Sequence, residues 1–330
     1  MYKENNYPLE LINTYREGIM GMAMLSIMLF HQEFSSIPPL NVFHHFGYWG
    51  VEIFLFLSGM GMVNSLKKNC IKVFYYRRAM RLIPSCLLIG SVKYCNFLFF
   101  SPALDELKEG LHIGYWSICS LDLWFIHSII IYYSLSPFLY KLIRRCPILT
   151  LIGIVFVFLL SECFISPYVG PDWASPLGVL SWTIGRLPVF VLGMLVAQFP
   201  SLFRRGNMIV SSICLVFAIL ITVTSKQMML PRYITILCPL YVAVGTLMMV
   251  ESCAFLLKRS YDGIQNFFGL TGKLSLELYL IHEYIIWSLY VLFALHYNNV
   301  LLLIVSLLIS YLLALIASKL LSTLKLYKKR

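Results

Sequence analysis

Nine ionisable side chains interrupt stretches that are otherwise apolar: His31, Glu52, Lys93, His127, Glu162, Arg186, Glu277, His282 and Glu283. Such groups are costly in hydrocarbon and mark functional positions. At 1.5 Å of rise per residue, His31 lies roughly 28 Å along a helix that begins at Ile12, close to the outer face. Glu52 lies about 8 Å below that face on the next, antiparallel helix, so the two can meet. Arg186 falls about 12 Å in from the outer end of its helix, with Pro188 beside it to bend the chain. Glu162 belongs to the same outer half, and His282 sits about 13 Å from an inner end. On the opposite face stands the run Arg77-Arg78-x-x-Arg81. Arg78 and Arg81 share one face of a helix, and paired guanidinium groups suit phosphate. A phosphate-bearing molecule on one side and a polar site toward the other together suggest transfer across a membrane.

These residues must be positioned by membrane helices. Of 330 residues, 59% are hydrophobic and 12% charged, about half the charge of a soluble domain. Ten stretches approach the roughly 20 apolar residues of a span: Ile12–Phe30, Gly47–Val63, Leu82–Phe100, Leu121–Tyr140, Ile148–Ser166, Gly178–Phe199, Met208–Thr224, Tyr233–Leu257, Leu274–Leu295 and Val300–Leu321. The expected fold is therefore all-α, a polytopic transmembrane bundle of about ten helices in a single domain over residues 1–330. The net charge of +11 does not indicate nucleic acid. The basic residues cluster between the apolar stretches, on every second connection, as the positive-inside rule requires. Lys67, Lys68, Lys72, Arg77, Arg78 and Arg81, then Lys141, Arg144 and Arg145, then Arg204, Arg205, Lys258, Arg259 and Lys273 fall inside, whereas the outer loops hold only Lys108, Lys226 and Arg232. Both termini are then inside. Residues 64–80, basic and aromatic, read as an interfacial helix against lipid headgroups. The nine cysteines lack paired C-x-x-C spacing and act as small hydrophobes, with no metal implied. No removable signal peptide is expected.

Three blocks carry a family resemblance: Gly21-Met-Ala-Met-Leu-Ser-Ile-Met-Leu-Phe-His31, Gly47-Tyr-Trp-Gly-Val-Glu-Ile-Phe-Leu-Phe-Leu-Ser-Gly59 and Phe74-Tyr-Tyr-Arg-Arg-Ala-Met-Arg-Leu-Ile-Pro84. Weaker echoes follow at Leu123–Ile126, Arg186–Gly193 and Leu274–His282. In that order the chain resembles the acyltransferase-3 family of membrane acyltransferases. The resemblance implies an enzyme that moves an acyl group, usually acetyl, from cytoplasmic acyl-CoA to a hydroxyl of a cell-envelope polysaccharide or glycolipid. It implies a multi-pass protein of a cell membrane, expected to be the bacterial plasma membrane. The family's helix 1 histidine matches His31, and its Arg-x-x-Arg pair matches Arg78 and Arg81. Two positions depart from the pattern. Met20 stands eleven residues before His31 where an arginine is frequent, and the nearest arginine is Arg16. Glu52 stands where aspartate is usual.

The chemistry implied is general-base O-acylation. Histidine is the side chain most often used as a general base, so His31 takes the hydroxyl proton, and Glu52 orients its ring. Arg77, Arg78 and Arg81 hold the phosphates of acetyl-CoA. Ser58, Trp124, Glu162, Arg186, Tyr279 and His282 are the expected substrate contacts. Each also has a plainer role. The arginines satisfy orientation and headgroup binding, Trp124 suits a membrane interface, and Ser58-Gly59 suits close helix packing. Arg186 with Glu162 makes a structural ion pair, and His282 makes an interhelical hydrogen bond. A transporter or flippase for a glycan or lipid-linked precursor is the rival function. It predicts internal repeats, and none is evident.

Overall fold

The computed structural model describes residues 7–32, 46–100, 124–169, 175–203, 205–227, 232–293 and 300–324. Among them every regular element is helical, and the principal helices are α1 Tyr7–Thr14, α2 Arg16–Phe30, α3 Gly50–Lys68, α4 Ile71–Phe100, α5 Trp124–Arg145, α6 Pro147–Phe164, α7 Pro176–Gln198, α8 Arg205–Gln227, α9 Cys238–Arg259, α10 Asp262–Lys273, α11 Ser275–Phe293 and α12 Val300–Thr323. The chain is an all-α polytopic bundle of a multi-pass membrane protein. Seven described helices are long and apolar enough to cross a membrane: α3, α5, α6, α7, α8, α9 and α12. The other three expected spans fall on α2, α4 and α11, which are helical but not among those seven.

Local sequence sets several boundaries. The Ser175 hydroxyl caps α7 by accepting from the Gly178 amide at 3.1 Å, and Pro176 fills the first turn, where an amide hydrogen would have no partner. Pro147 opens α6 in the same way. The last turn of α3 is tied down where Lys67 Nζ donates to the Ala197 carbonyl at 3.1 Å, at the C-terminal end of α7. Pro188 lies inside α7, which continues through it.

The centre of the bundle is α3. In its most apolar stretch 78% of residues are buried, against 17% in α6 and in α8, whose apolar side chains face outward as lipid-facing ones do. α3 packs most extensively on α7, and α2 on α10. At the α3–α7 crossing a Cβ on Gly59 would collide with the Phe190 carbonyl, and one on Gly193 with the Phe56 carbonyl. Only glycine allows the two backbones to meet there.

Three local expectations differ from the structure. The interfacial helix over residues 64–80 is not a separate element: residues 64–68 complete α3, and 71–80 are the first turns of the 30-residue α4. The first span is broken at Tyr15, so α2 begins at Arg16 rather than Ile12. The connection between the eighth and ninth expected spans, residues 258–273, expected as loop, contains α10. It lies against α2, where Gly272 meets the Glu17 backbone, and its Thr271 hydroxyl is 2.7 Å from that of Tyr311 on α12.

Candidate active site

α2, α3, α4, α5 and α11 line a partly open cavity. One end is cationic, with Arg16 from α2 and Arg78 and Arg81 from α4. The walls are apolar except for Ser58, Tyr133 and Ser275. The other end is formed by Ile27, Val51, Phe54, Phe125 and Tyr279. From Arg16 to Ile27 is eleven residues of helix, or about 16 Å. α3 lines the same length in the opposite direction, from Met62 to Val51.

The arginine run divides. Arg78 and Arg81, three residues apart, both line the cavity, whereas Arg77 is exposed and does not. The Arg78 guanidinium lies between two rings, 5.6 Å from the centre of Phe74 and 5.7 Å from that of Tyr133. Arg16 is the residue that sequence reasoning missed. It lies four residues before Met20, hence on the same helix face, and both line the cavity. Its Nη2 donates to the Leu57 carbonyl at 3.1 Å, and a Cβ on Gly61 would come within 3.2 Å of that nitrogen. The i, i+4 relation to Met20 was the available signal. Three guanidinium groups against apolar walls give this end the chemistry to hold an anion.

Beyond the apolar end lie two histidines. The rings of Phe125 and Tyr279 are 4.9 Å apart, and that of Tyr279 is 5.8 Å from His282. His282 Nε2 is 3.2 Å from His31 Nδ1. His31 closes α2 one turn past Ile27, and its Nδ1 also lies 3.0 Å from the Ile27 carbonyl oxygen. His282 is 1% exposed and belongs to α11. Elsewhere between α4 and α11, the Ser85 hydroxyl donates to Glu277 Oε1 at 2.9 Å in a buried setting.

Glu52 does not pair with His31; its carboxylate pairs with Arg186. Arg186 Nε is 3.1 Å from Glu52 Oε1, and both side chains are largely buried. The approach is that of an ion contact rather than an aligned hydrogen bond. The Arg186 guanidinium carbon lies 4.7 Å from the Trp124 ring centre and 4.4 Å from that of Trp182. Trp124 therefore packs on a cation within the bundle, and Arg186 takes Glu52 rather than Glu162 as its ionic partner. Glu162 is half-buried near the end of α6 and lines no part of the cavity. Among the described residues no three His, Cys, Asp or Glu side chains gather as metal ligands.

The arrangement combines a cationic end, an apolar passage and an imidazole beyond its far end. Against known proteins, one family model, described as an acyltransferase domain, matches residues 15–321. No curated protein and no solved structure matches the chain.

Proposed function

The chain belongs to the acyltransferase-3 family of membrane acyltransferases, and from that premise we propose that it transfers an acetyl group from acetyl-CoA to a hydroxyl of a cell-envelope polysaccharide. The observation that carries this reading is the cavity. It runs from Arg16, Arg78 and Arg81 to Ile27 and Tyr279, one helical turn short of His31 and His282. A pantetheine arm has about twelve backbone bonds, as many as four residues of extended peptide, and reaches roughly 14 Å. That length suits the passage. The three arginines hold the nucleotide phosphates, Ser58 and Tyr279 flank the arm, and the thioester comes to rest near His31.

His31 then acts as general base. Its ring takes the proton of the acceptor hydroxyl as that oxygen bonds to the acyl carbon. The carbon–sulfur bond breaks, and the proton passes to the leaving thiolate, so acetyl ester and free CoA are the products. No covalent acyl-enzyme is required. On this reading the arginine side faces the cytoplasm of a bacterial plasma membrane and the acceptor approaches from the other side.

The test uses purified protein in liposomes, radiolabelled acetyl-CoA and the envelope polysaccharide fraction of the expressing cells. Label is expected in polysaccharide, and His31→Ala is expected to lose it while still inserting into membrane. Full transfer by that variant contradicts the assignment of the base. Movement of glycan across the bilayer without label contradicts acyl transfer.

A further inference from the structure

The two histidines form a chain of hydrogen bonds whose direction is set by their partners. His282 Nδ1 lies 3.0 Å from the carbonyl oxygens of both Leu278 and Tyr279. Two acceptors face that nitrogen, so it carries the hydrogen, and Nε2 is left as an acceptor in the neutral ring. That bare Nε2 faces His31 Nδ1 at 3.2 Å. His31 Nδ1 also faces the Ile27 carbonyl at 3.0 Å. Acceptors lie on both sides of His31 Nδ1, so it too carries its hydrogen. The lone pair of His31 is then on Nε2. The reverse polarity fails at both ends. A hydrogen on His282 Nε2 would need a bare His31 Nδ1, whose lone pair would face the Ile27 carbonyl, and a neutral His282 would then turn a second lone pair on two carbonyls.

We infer that His282 is the positioning residue of this enzyme, holding His31 in the Nδ1–H tautomer so that Nε2 is the basic atom. The inference rests on His31 being the base. It gives His282 the part usually taken by a carboxylate in a base–orienter pair. A neutral imidazole suits this place, since His282 is 1% exposed and an unpaired charge there would be costly. When His31 gains its second proton, the His282 lone pair accepts from Nδ1–H and stabilises the imidazolium without a net buried anion. The contact joins α2 to α11, residues 251 positions apart, so it also fixes the ring against rotation about its own helix.

Two measurements test this. Solid-state 15N spectra of histidine-labelled protein in bilayers, assigned by difference from His31→Ala and His282→Gln, report the tautomers directly. Both rings are expected to be protonated on Nδ1 and bare on Nε2; a His31 protonated on Nε2 overturns the inference, whatever the activity. Kinetics with radiolabelled acetyl-CoA and the envelope polysaccharide fraction give the second readout. His282→Leu is expected to lower kcat by ~100-fold with the KM for acetyl-CoA within ~2-fold. His282→Gln, whose amide oxygen accepts from Nδ1–H, is expected to stay within ~10-fold of the parent. Equal loss in the two variants, or loss expressed in KM alone, means packing or ligand contact and overturns it. His31→Ala measured beside them separates the readings, because full activity there removes the base itself.

Discussion

Glu52 and Arg186 hold each other at 3.1 Å across the α3–α7 interface, and the guanidinium lies against the rings of Trp124 and Trp182. Removing one member of a buried pair strands the other charge, at a cost of about 3–5 kcal/mol. Glu52→Ala and Arg186→Ala are each expected to lower the thermal midpoint of the purified protein sharply. The double variant Glu52→Leu/Arg186→Met is expected to recover most of that loss. Activity in the recovered protein separates scaffold from chemistry: restored transfer assigns the pair to the scaffold, whereas a stable but inactive double variant gives Glu52 a part in the reaction.

The three cavity arginines are expected to act on donor binding. Arg16→Gln, Arg78→Gln and Arg81→Gln each remove a charge-assisted contact worth about 1.5–3 kcal/mol. Each should raise the KM for acetyl-CoA ~10-fold or more, with a smaller change in kcat. Arg77→Gln, exposed and outside the cavity, should leave KM unchanged. Titrations with added salt provide the check on mechanism, since partly screened phosphate contacts weaken as ionic strength rises.

The α3–α7 crossing tolerates no side chain on its glycines. Gly59→Ala and Gly193→Ala place a methyl group against the carbonyls of Phe190 and Phe56, so each is expected to destabilise by about 1–3 kcal/mol through overpacking. Gly153 on α6 has nothing within 4 Å of its Cβ position. Gly153→Ala should therefore be neutral or mildly stabilising, since alanine is the better helix former by about 1 kcal/mol. Thermal midpoints of the three variants in one detergent decide the matter.

On the proposed reading, donor and spent donor contact the same guanidinium groups, which line one end of the cavity. Free CoA is expected to compete with acetyl-CoA. With acceptor fixed, double-reciprocal plots at several CoA concentrations should share an intercept on the rate axis. A noncompetitive pattern would place the two molecules in different sites.

The helical bundle was legible because apolar stretches of sufficient length have one outcome in a membrane. Arg78 and Arg81 were legible as a pair because i and i+3 share a face whatever surrounds the helix. Azimuth between helices was not. Rise per residue puts His31, Glu52 and Arg186 at similar depth, yet nothing local to Glu52 says whether it faces His31 or Arg186. Counting from an estimated boundary ignores tilt and stagger, which is why His31 and His282 were set at different heights although they lie 3.2 Å apart. α10 was hidden for another reason. Its twelve residues are too short and too polar to resemble a span, and only its packing on α2 and α12 gives it a place.

The paired rings of Phe125 and Tyr279 bear on the cell's energy supply. A water-filled path from the arginine end to the far side of the bundle would let protons and ions run down their gradients whenever the enzyme stood idle. These two aromatic side chains, their rings 4.9 Å apart, form part of the cavity's apolar end and narrow it there. A bulky apolar end of this kind narrows the route that water and ions would take through an idle enzyme.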